Sequence, residues 1–318
     1  MRIQESPLFI DPIYAGTADP TIIWNHIENE WWIVYTQRMA SIPGPAVTGV
    51  HGSELGAASS KDGSDWVYRG TLEGLHFEHG HNTFWAPEII FRNGVYHMYV
   101  SYVRGMPTNW NHPREIIHYT SLNLWEWKFE SILPLSSHKV IDACVAEIRP
   151  GYFRMWYKDE ADNSYSHYSD STDLYNWFGG ERAIADESHE GPNVFFFEGK
   201  WWYIGDYWKG LKCFSSSDCL NWKEEGIILK DPGSKPYDNN LGNHADVLIA
   251  GKEAYIFYFS SLKRPEGYRP GMTVDPEYKK LAVQVRRLTA DDSGMHCDRD
   301  EDFDFVLPDG PSILPEFR

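Results

Sequence analysis

Three isolated acids, Asp19, Asp142 and Glu190, each stand at the start of an apolar stretch of the chain. Carboxylates gathered in one pocket push each other's proton affinities apart, so one can stay protonated while another stays ionised. Such a pair can hydrolyse a glycosidic bond: one group protonates the leaving oxygen, and the other activates water or attacks the anomeric carbon. A single acid in a turn is usually only an exposed residue or a strand cap. The chemistry therefore requires a fold that brings the three acids together.

A repeat supplies the elements that would position them. Five times, an apolar strand, a short Gly-containing or charged turn and an aromatic-rich strand follow one another. The apolar strands open at Pro20-Thr21-Ile22-Ile23, Pro87-Glu88-Ile89-Ile90, Ala143-Cys144-Val145-Ala146, Pro192-Asn193-Val194-Phe195 and Ala245-Asp246-Val247-Leu248. Strands of this length, separated by turn residues and without helical periodicity, indicate an all-β chain.

A second signature follows in four of the five units, where a serine-rich strand end and a turn precede a tryptophan. These tryptophans are Trp66, Trp127, Trp177 and Trp222. Their spacing of roughly 45 to 60 residues is typical of a radial or solenoid repeat. The sequence predicts a five-bladed β-propeller with the tryptophans packed within the blades. A large β-sandwich is the alternative, but it gives no reason for the pattern to recur.

Five blades of roughly 55 residues account for nearly the whole length of 318 residues, which predicts a single catalytic domain over 1–318. The predicted blades cover approximately 15–75, 83–135, 138–185, 188–230 and 241–292. In a propeller the first strand of each blade lines the central axis. Residues that open equivalent strands therefore converge on one mouth of the tunnel, and Asp19, Asp142 and Glu190 are expected to meet there.

Composition excludes several classes of partner. The net charge of −17 would repel a phosphate backbone, so we expect no nucleic acid partner. No apolar run is long enough to span a membrane, and the first residues lack the apolar region of a signal peptide, which favours a cytoplasmic protein. Four irregularly spaced cysteines, Cys144, Cys213, Cys219 and Cys297, indicate reduced thiols and no metal site of the Cys-x-x-Cys kind. The oligomeric state stays open.

Four segments together resemble glycoside hydrolase family 43 and its five-bladed relatives. They are Tyr14-Ala15-Gly16-Thr17-Ala18-Asp19-Pro20-Thr21, Thr83-Phe84-Trp85-Ala86-Pro87-Glu88-Ile89, Ile141-Asp142 and His189-Glu190-Gly191-Pro192. Each motif is short, and their order and spacing over residues 10 to 290 carry the resemblance. It implies an inverting glycosidase that uses three acids.

By this resemblance, Asp19 would be the general base, Glu190 the general acid and Asp142 the residue that tunes the acid. Two positions depart from the family pattern. Ala143-Cys144 follows Asp142 where the family usually has a proline, and Glu88 replaces an aspartate in the second blade. Glu88 is consequently a rival of Asp142 for the tuning role as well as a predicted substrate-binding residue.

Four further residues are predicted to bind substrate. Phe84 and Trp85 precede a blade opening and are expected to form walls of a sugar subsite, with core packing as the alternative. His244 resembles the family's axial histidine, and Arg287 in the last blade is expected to reach a sugar hydroxyl or to form a surface salt bridge. The resemblance leaves room for calcium near His244, but calcium prefers oxygen ligands, so we expect no required cofactor and no metal site.

The sequence thus predicts an exo-acting glycosidase that removes a terminal pentose, β-xylose or α-L-arabinofuranose, from an oligosaccharide substrate. The polar segments 76–82 and 105–112 are expected to rim a closed pocket, because loops carry specificity. The pentose follows from the resemblance alone. Alternatives are a propeller hydrolase of galactose, anhydro-galactose or fructose units, a glycoside phosphorylase, a related enzyme with His189 as its acid, and a sugar-binding propeller without catalysis.

Overall fold

The computed structural model describes residues 4–42, 47, 49–267 and 275–311. These residues form five separate four-stranded antiparallel sheets, and within each sheet the strands neighbour one another in chain order. The strands are β1 Thr17–Asn25, β2 Glu30–Gln37, β3 Glu54–Ser60, β4 Val67–Thr71, β5 Thr83–Arg92, β6 Val95–Val103, β7 Glu115–Ser121, β8 Lys128–Ile132, β9 Val140–Arg149, β10 Tyr152–Asp159, β11 Tyr165–Ser171, β12 Phe178–Ile184, β13 Glu190–Phe197, β14 Lys200–Asp206, β15 Leu211–Ser216, β16 Lys223–Ile228, β17 Asn243–Ala250, β18 Glu253–Ser260, β19 Ala282–Asp291 and β20 Gly294–His296.

The first strands of the five sheets contact one another in a closed ring: β1 touches β5, β5 touches β9, β9 touches β13, β13 touches β17, and β17 touches β1. The predicted all-β, five-bladed propeller is therefore confirmed. One 3₁₀ helix, Pro276–Lys279, lies between β18 and β19. The ends of the predicted domain, 1–3 and 312–318, lie outside the described residues, and the assignment of 1–318 to one catalytic domain stays a prediction.

The core is divided among the interfaces between neighbouring blades. Large apolar side chains of adjacent sheets form a separate buried cluster at each of the five interfaces. The interface between the fifth and first blades also contains the C-terminal residues Phe303, Phe305 and Leu307. Because aromatic side chains bury large areas, the repeated aromatic strands hold the blades to each other as well as within themselves.

The serine that precedes each repeated tryptophan has a local structural role. Ser121, at the end of β7, accepts a hydrogen bond from the backbone N–H of Leu124, and Asn123 accepts from the N–H groups of Trp125 and Glu126. Equivalent bonds form after β3, β11 and β15. Side-chain oxygens that bond the backbone two and three residues later stabilise a tight turn. The recurring serine motif thus encodes the turn between the third and fourth strands.

Candidate active site

Every inner strand has an irregular register near its first residues, on the side of the ring where the strands begin. At these irregularities Asp19, Ala86 and Asp142 adopt left-handed backbone conformations, with φ of 49°, 46° and 59°. An extra residue in a strand re-aims the neighbouring side chains, and such bulges are frequent beside active sites. The bulges of β1 and β9 place Asp19 and Asp142 at equivalent positions in one pocket.

Glu190 reaches the same pocket from one residue earlier in its strand. The left-handed position of β13 is Gly191, with φ of 57°, and not Glu190. A Cβ on Gly191 would lie only 2.7 Å from Cγ of His244, so this position has no room for a side chain. The sequence predicts equivalent places for all three acids, and the structure moves the acid of the fourth blade by one residue because His244 occupies the space.

The pocket has a volume of about 370 Å³. Its lining includes the three acids and the predicted Trp85 and His244. The other lining residues are Arg38, Val50, Trp110, Arg114, Ile141, Glu160 and Trp208. Apolar rings beside a few convergent charged groups are typical of a small-molecule site.

Asp19 is held as a carboxylate. Its Oδ2 lies 3.3 Å from Nη2 of Arg38, and its Oδ1 lies 3.4 Å from Nδ1 of His244. Burial would raise the pKa of Asp19, but the Arg38 guanidinium and the His244 imidazole outweigh burial and hold that pKa below its usual value. Ionised Asp19 is therefore suited to accept a proton.

His244 is the positively charged partner. Burial would lower its pKa, but the hydrogen bond to Asp19 and the negative charge of Asp142 raise the pKa to about 9. A protonated imidazole has no lone pair for a metal ion and repels it. Calcium also requires six to eight oxygen ligands. Among the described residues, no group of three or more His, Cys, Asp or Glu side chains is arranged to hold a metal ion.

Each carboxylate oxygen of Glu190 has a hydrogen-bond donor. Oε2 lies 3.0 Å from Nζ of Lys158, and Oε1 accepts a 2.9 Å hydrogen bond from the indole N–H of Trp208. Burial tends to raise the pKa of Glu190, and the Lys158 ammonium outweighs burial and lowers it. In the free protein the two donors thus favour the ionised form, and a bound ligand that disturbs either contact would favour protonation.

Asp142 lines the same pocket as the other two acids and is almost fully buried. Its Oδ2 accepts a 3.1 Å hydrogen bond from the backbone N–H of Gly191, the neighbour of Glu190. Burial and the charges of Glu190 and Asp19 raise the pKa of Asp142 to about 6, against the opposing charges of His244 and Lys158. Asp142 is the acid of the three whose pKa is raised, so it is the one most ready to hold a proton near neutral pH.

Three basic residues in or beside the pocket are absent from the sequence prediction, and each has a carboxylate partner. Arg38 pairs with Asp19, Lys158 with Glu190, and Arg114 with Glu160 at 3.0 Å. Arg38 and Lys158 lie at the ends of second strands, which run antiparallel to the first strands and so finish beside their openings. A search of the second-strand ends for charged residues would have found both from the sequence.

Aromatic side chains form one wall of the pocket. Trp85 and Trp110 lie 6.2 Å apart between ring centroids, and both contact His51. About half of Trp110 is exposed, and it comes from the predicted rim segment 105–112. Trp208 lines the same pocket beside Glu190 and is also about half-exposed. Exposed aromatic rings beside charged groups are suited to the apolar face of a sugar ring.

Three predicted substrate-binding residues lie outside the pocket lining. Phe84 is fully buried and contacts Tyr102, because successive side chains of β5 point to opposite faces and Trp85 takes the pocket side. Oε1 of Glu88 accepts a hydrogen bond from the backbone N–H of Val145 in the neighbouring inner strand. Arg287 pairs with Glu301. It lies five residues along β19 from Ala282, the end of that strand nearest the mouth, which is about 17 Å.

His189, the alternative acid, is fully buried next to Glu190 and does not line the pocket. Its Nε2 lies 2.8 Å from Oγ of Ser166 and 3.0 Å from the hydroxyl of Tyr203, and its ring stacks on Tyr207. Burial lowers the pKa of His189, which favours the neutral imidazole. These contacts give His189 a structural role beneath the pocket.

No family model and no curated protein sequence matches the chain. Solved structures with the same fold do match along nearly its whole length. A GH43 β-1,3-galactosidase with galactodeoxynojirimycin has a TM-score of 0.69 at 14% identity, covering 95% of this chain and 100% of its own. An α-L-arabinofuranosidase from Lactobacillus brevis has a TM-score of 0.67 at 14% identity, covering 95% and 99%.

A third match is a GH43 β-xylosidase/α-arabinofuranosidase from a compost microbial metagenome, in complex with xylotriose and in a calcium-free form. It has a TM-score of 0.67 at 13% identity and covers 93% of this chain and 98% of its own. At these identities the likeness establishes the fold, a five-bladed propeller of the kind found in family-43 glycoside hydrolases. No helix in the described part of the chain is long and apolar enough to cross a membrane.

Proposed function

We propose that this protein is a glycoside hydrolase that cleaves a terminal sugar from an oligosaccharide with inversion at the anomeric carbon. The observation that carries the proposal is the meeting, in one pocket, of three acids from different blades with different partners. Asp19 faces two cations, Glu190 is bound by Lys158 and Trp208, and Asp142 is buried in the same pocket. Different environments of neighbouring carboxylates are what general acid and base catalysis requires.

In this proposal Asp19 is the general base, Glu190 the general acid and Asp142 the residue that tunes Glu190. Glu190 gives its proton to the leaving glycosidic oxygen while Asp19 takes a proton from the attacking water. Asp142 is bonded to the backbone next to Glu190, so its charge and its position both act on the acid. An inverting reaction requires about 6.5–9.5 Å between acid and base, because water must enter between them.

The pocket supports a short substrate. A volume of about 370 Å³ is at the small end of ligand pockets, which range over roughly 300–1,000 Å³. Such a pocket favours exo action on the end of a chain over cleavage within a polymer. For the sugar we propose a pentose, β-xylose or α-L-arabinofuranose, since structures with this fold include enzymes named for these sugars.

Galactose is the second candidate, because the fold is shared equally well with a β-1,3-galactosidase. Hydrolysis of a panel of 4-nitrophenyl pentosides and hexosides by the purified protein tests both candidates. The proposal expects release of nitrophenol from at least one pentoside, and exclusive release from a galactoside would select the second candidate. A dependence on inorganic phosphate would identify a phosphorylase instead, and a folded protein without turnover on any glycoside would contradict the hydrolase.

A further inference from the structure

Asp206, the last residue of β14, lies directly behind the pocket. It pairs across the strands with Glu190, and only 2% of it is exposed. Its Oδ1 accepts a 2.8 Å hydrogen bond from the backbone N–H of Trp208, and its Oδ2 accepts a 3.1 Å bond from the backbone N–H of His244. One buried carboxylate thus connects the fourth blade to the start of the fifth.

The two residues that Asp206 holds are the partners of the proposed acid and base. Trp208 donates its indole N–H to Glu190, and His244 faces Asp19. Trp208 also has a left-handed φ of 55°, a conformation that costs free energy in a residue other than glycine. The bond from its N–H to Asp206 stabilises this turn and so orients the indole towards Glu190.

We propose that Asp206 is a positioning residue, which fixes the backbone of Trp208 and His244 and so holds the indole N–H of Trp208 on Glu190. The inference rests on the proposed function in so far as Glu190 is the general acid. The geometric part, a buried carboxylate that sets the environment of Glu190, is independent of the substrate.

The charge of Asp206 depends on its surroundings. Burial and the nearby charge of Glu190 raise the pKa of Asp206 to about 7, while the two backbone N–H bonds and the charge of His244 favour ionisation. Because the pKa of Glu190 is lowered, Asp206 is already protonated in the pH range where Glu190 titrates, so Asp206 acts on Glu190 through Trp208 and not through its own charge. Several titratable and charged groups surround the Asp206–Glu190 pair. They are Asp19 of β1, Asp142 of β9, Lys158 of β10, Glu160 directly after β10, His189 directly before β13, and His244 of β17.

The test is a pH titration of the Trp208 indole ¹⁵N–H resonance by NMR, because this group donates to Glu190 and reports its ionisation. The chain has 14 tryptophans, and Trp208→Phe identifies the signal. In Asp206→Ala the backbone N–H groups of Trp208 and His244 lose their acceptor, so we expect the pH-dependent shift of the indole resonance to fall to less than about half of its size in the parent. Asp186→Ala is the matched control, because Asp186 binds Lys212 and Tyr207 outside the pocket, and its indole shift should equal that of the parent.

A full-sized indole shift in Asp206→Ala, or an equal loss in the control, would overturn the inference. If the alanine variant does not fold, Asp206→Asn, which keeps one of the two acceptor oxygens, should show a smaller indole shift than the parent, and a shift of parental size there would overturn the inference as well. The titration needs no substrate, so its result is separate from failure of the proposed function. On any hydrolysed glycoside, the alkaline limb of kcat/KM in Asp206→Ala should move to higher pH, because the ionised form of Glu190 loses the donor Trp208.

Discussion

Lys158 gives the sharpest prediction about the proposed acid. Its side chain is almost fully buried, and its Nζ lies 3.0 Å from Oε2 of Glu190 and 3.2 Å from Oε1 of Glu160. Lys158→Met removes the positive charge and keeps an unbranched apolar stem of similar length. Glu160 retains its partner Arg114, so the loss of the Lys158 charge mainly affects Glu190.

The separation of 3.0 Å sets the size of the effect. Coulomb's law gives about 1.4 kcal/mol for this pair at the dielectric constant of water and about 5.5 kcal/mol at an effective value of 20. At 1.36 kcal/mol per pKa unit, these limits correspond to roughly one to four units. About a third of the Glu190 side chain is exposed, and Trp208 still donates a hydrogen bond to it. We therefore expect the pKa of Glu190 to rise by about one to two units in Lys158→Met.

The assay is the pH dependence of kcat/KM on a hydrolysed nitrophenyl glycoside. A higher pKa of Glu190 keeps the acid protonated to higher pH, so the alkaline limb should move up by about one to two pH units. Lys212→Met is the matched control, because Lys212 is equally buried and pairs with Asp186, Glu187 and Glu224 outside the pocket. An alkaline limb that stays in place in Lys158→Met, or moves equally in Lys212→Met, would refute the reasoning.

Two further predictions concern the base and the stability of the third blade. In Arg38→Gln the pKa of Asp19 should rise, because burial then acts against less positive charge. The acidic limb of kcat/KM should therefore move to higher pH. An acidic limb that stays in place would exclude Asp19 as the base. Asp170 accepts bonds of 2.7 and 2.8 Å from buried Arg154. Asp170→Ala should lower the free energy of unfolding in urea by about 3–5 kcal/mol, and a loss below about 1 kcal/mol would contradict a structural role.

The sequence predicts the blades because their aromatic strands and serine turns recur, and local patterns of this kind are visible without the fold. Symmetry then predicts that Asp19, Asp142 and Glu190 meet. The one-residue difference at Gly191 is visible in the motifs, where Asp19 directly precedes Pro20 but Gly191 separates Glu190 from Pro192. Its cause is not visible there, since it depends on the ring of His244 from another blade. Bulges of this kind change which side chain faces the pocket, and they have no clear signature in one sequence.

The basic partners of the acids were missed for a different reason. Arg38 and Lys158 belong to no motif, and their position follows only from antiparallel pairing with the inner strands. Conversely, Phe84 has a pocket-like position in the sequence, but strand alternation turns it into the core. Arg287 lies in the last blade, as expected, but too far along β19 from the pocket mouth to reach a bound sugar. A motif therefore does not predict whether a side chain lines the pocket. That depends on the distance of the residue along its strand and on the face of the sheet to which the side chain points.

The proposed catalytic role of Glu190 is tested most directly by comparing turnover and binding in the parent and in Glu190→Gln. Turnover is measured on an unactivated oligosaccharide, and binding of the same oligosaccharide is measured by calorimetry. The proposal predicts that the substitution lowers turnover by at least about a hundredfold, the scale of general acid catalysis, while binding is retained. Equal turnover in the two proteins, or binding without any turnover in the parent, would contradict the proposal and favour a sugar-binding propeller.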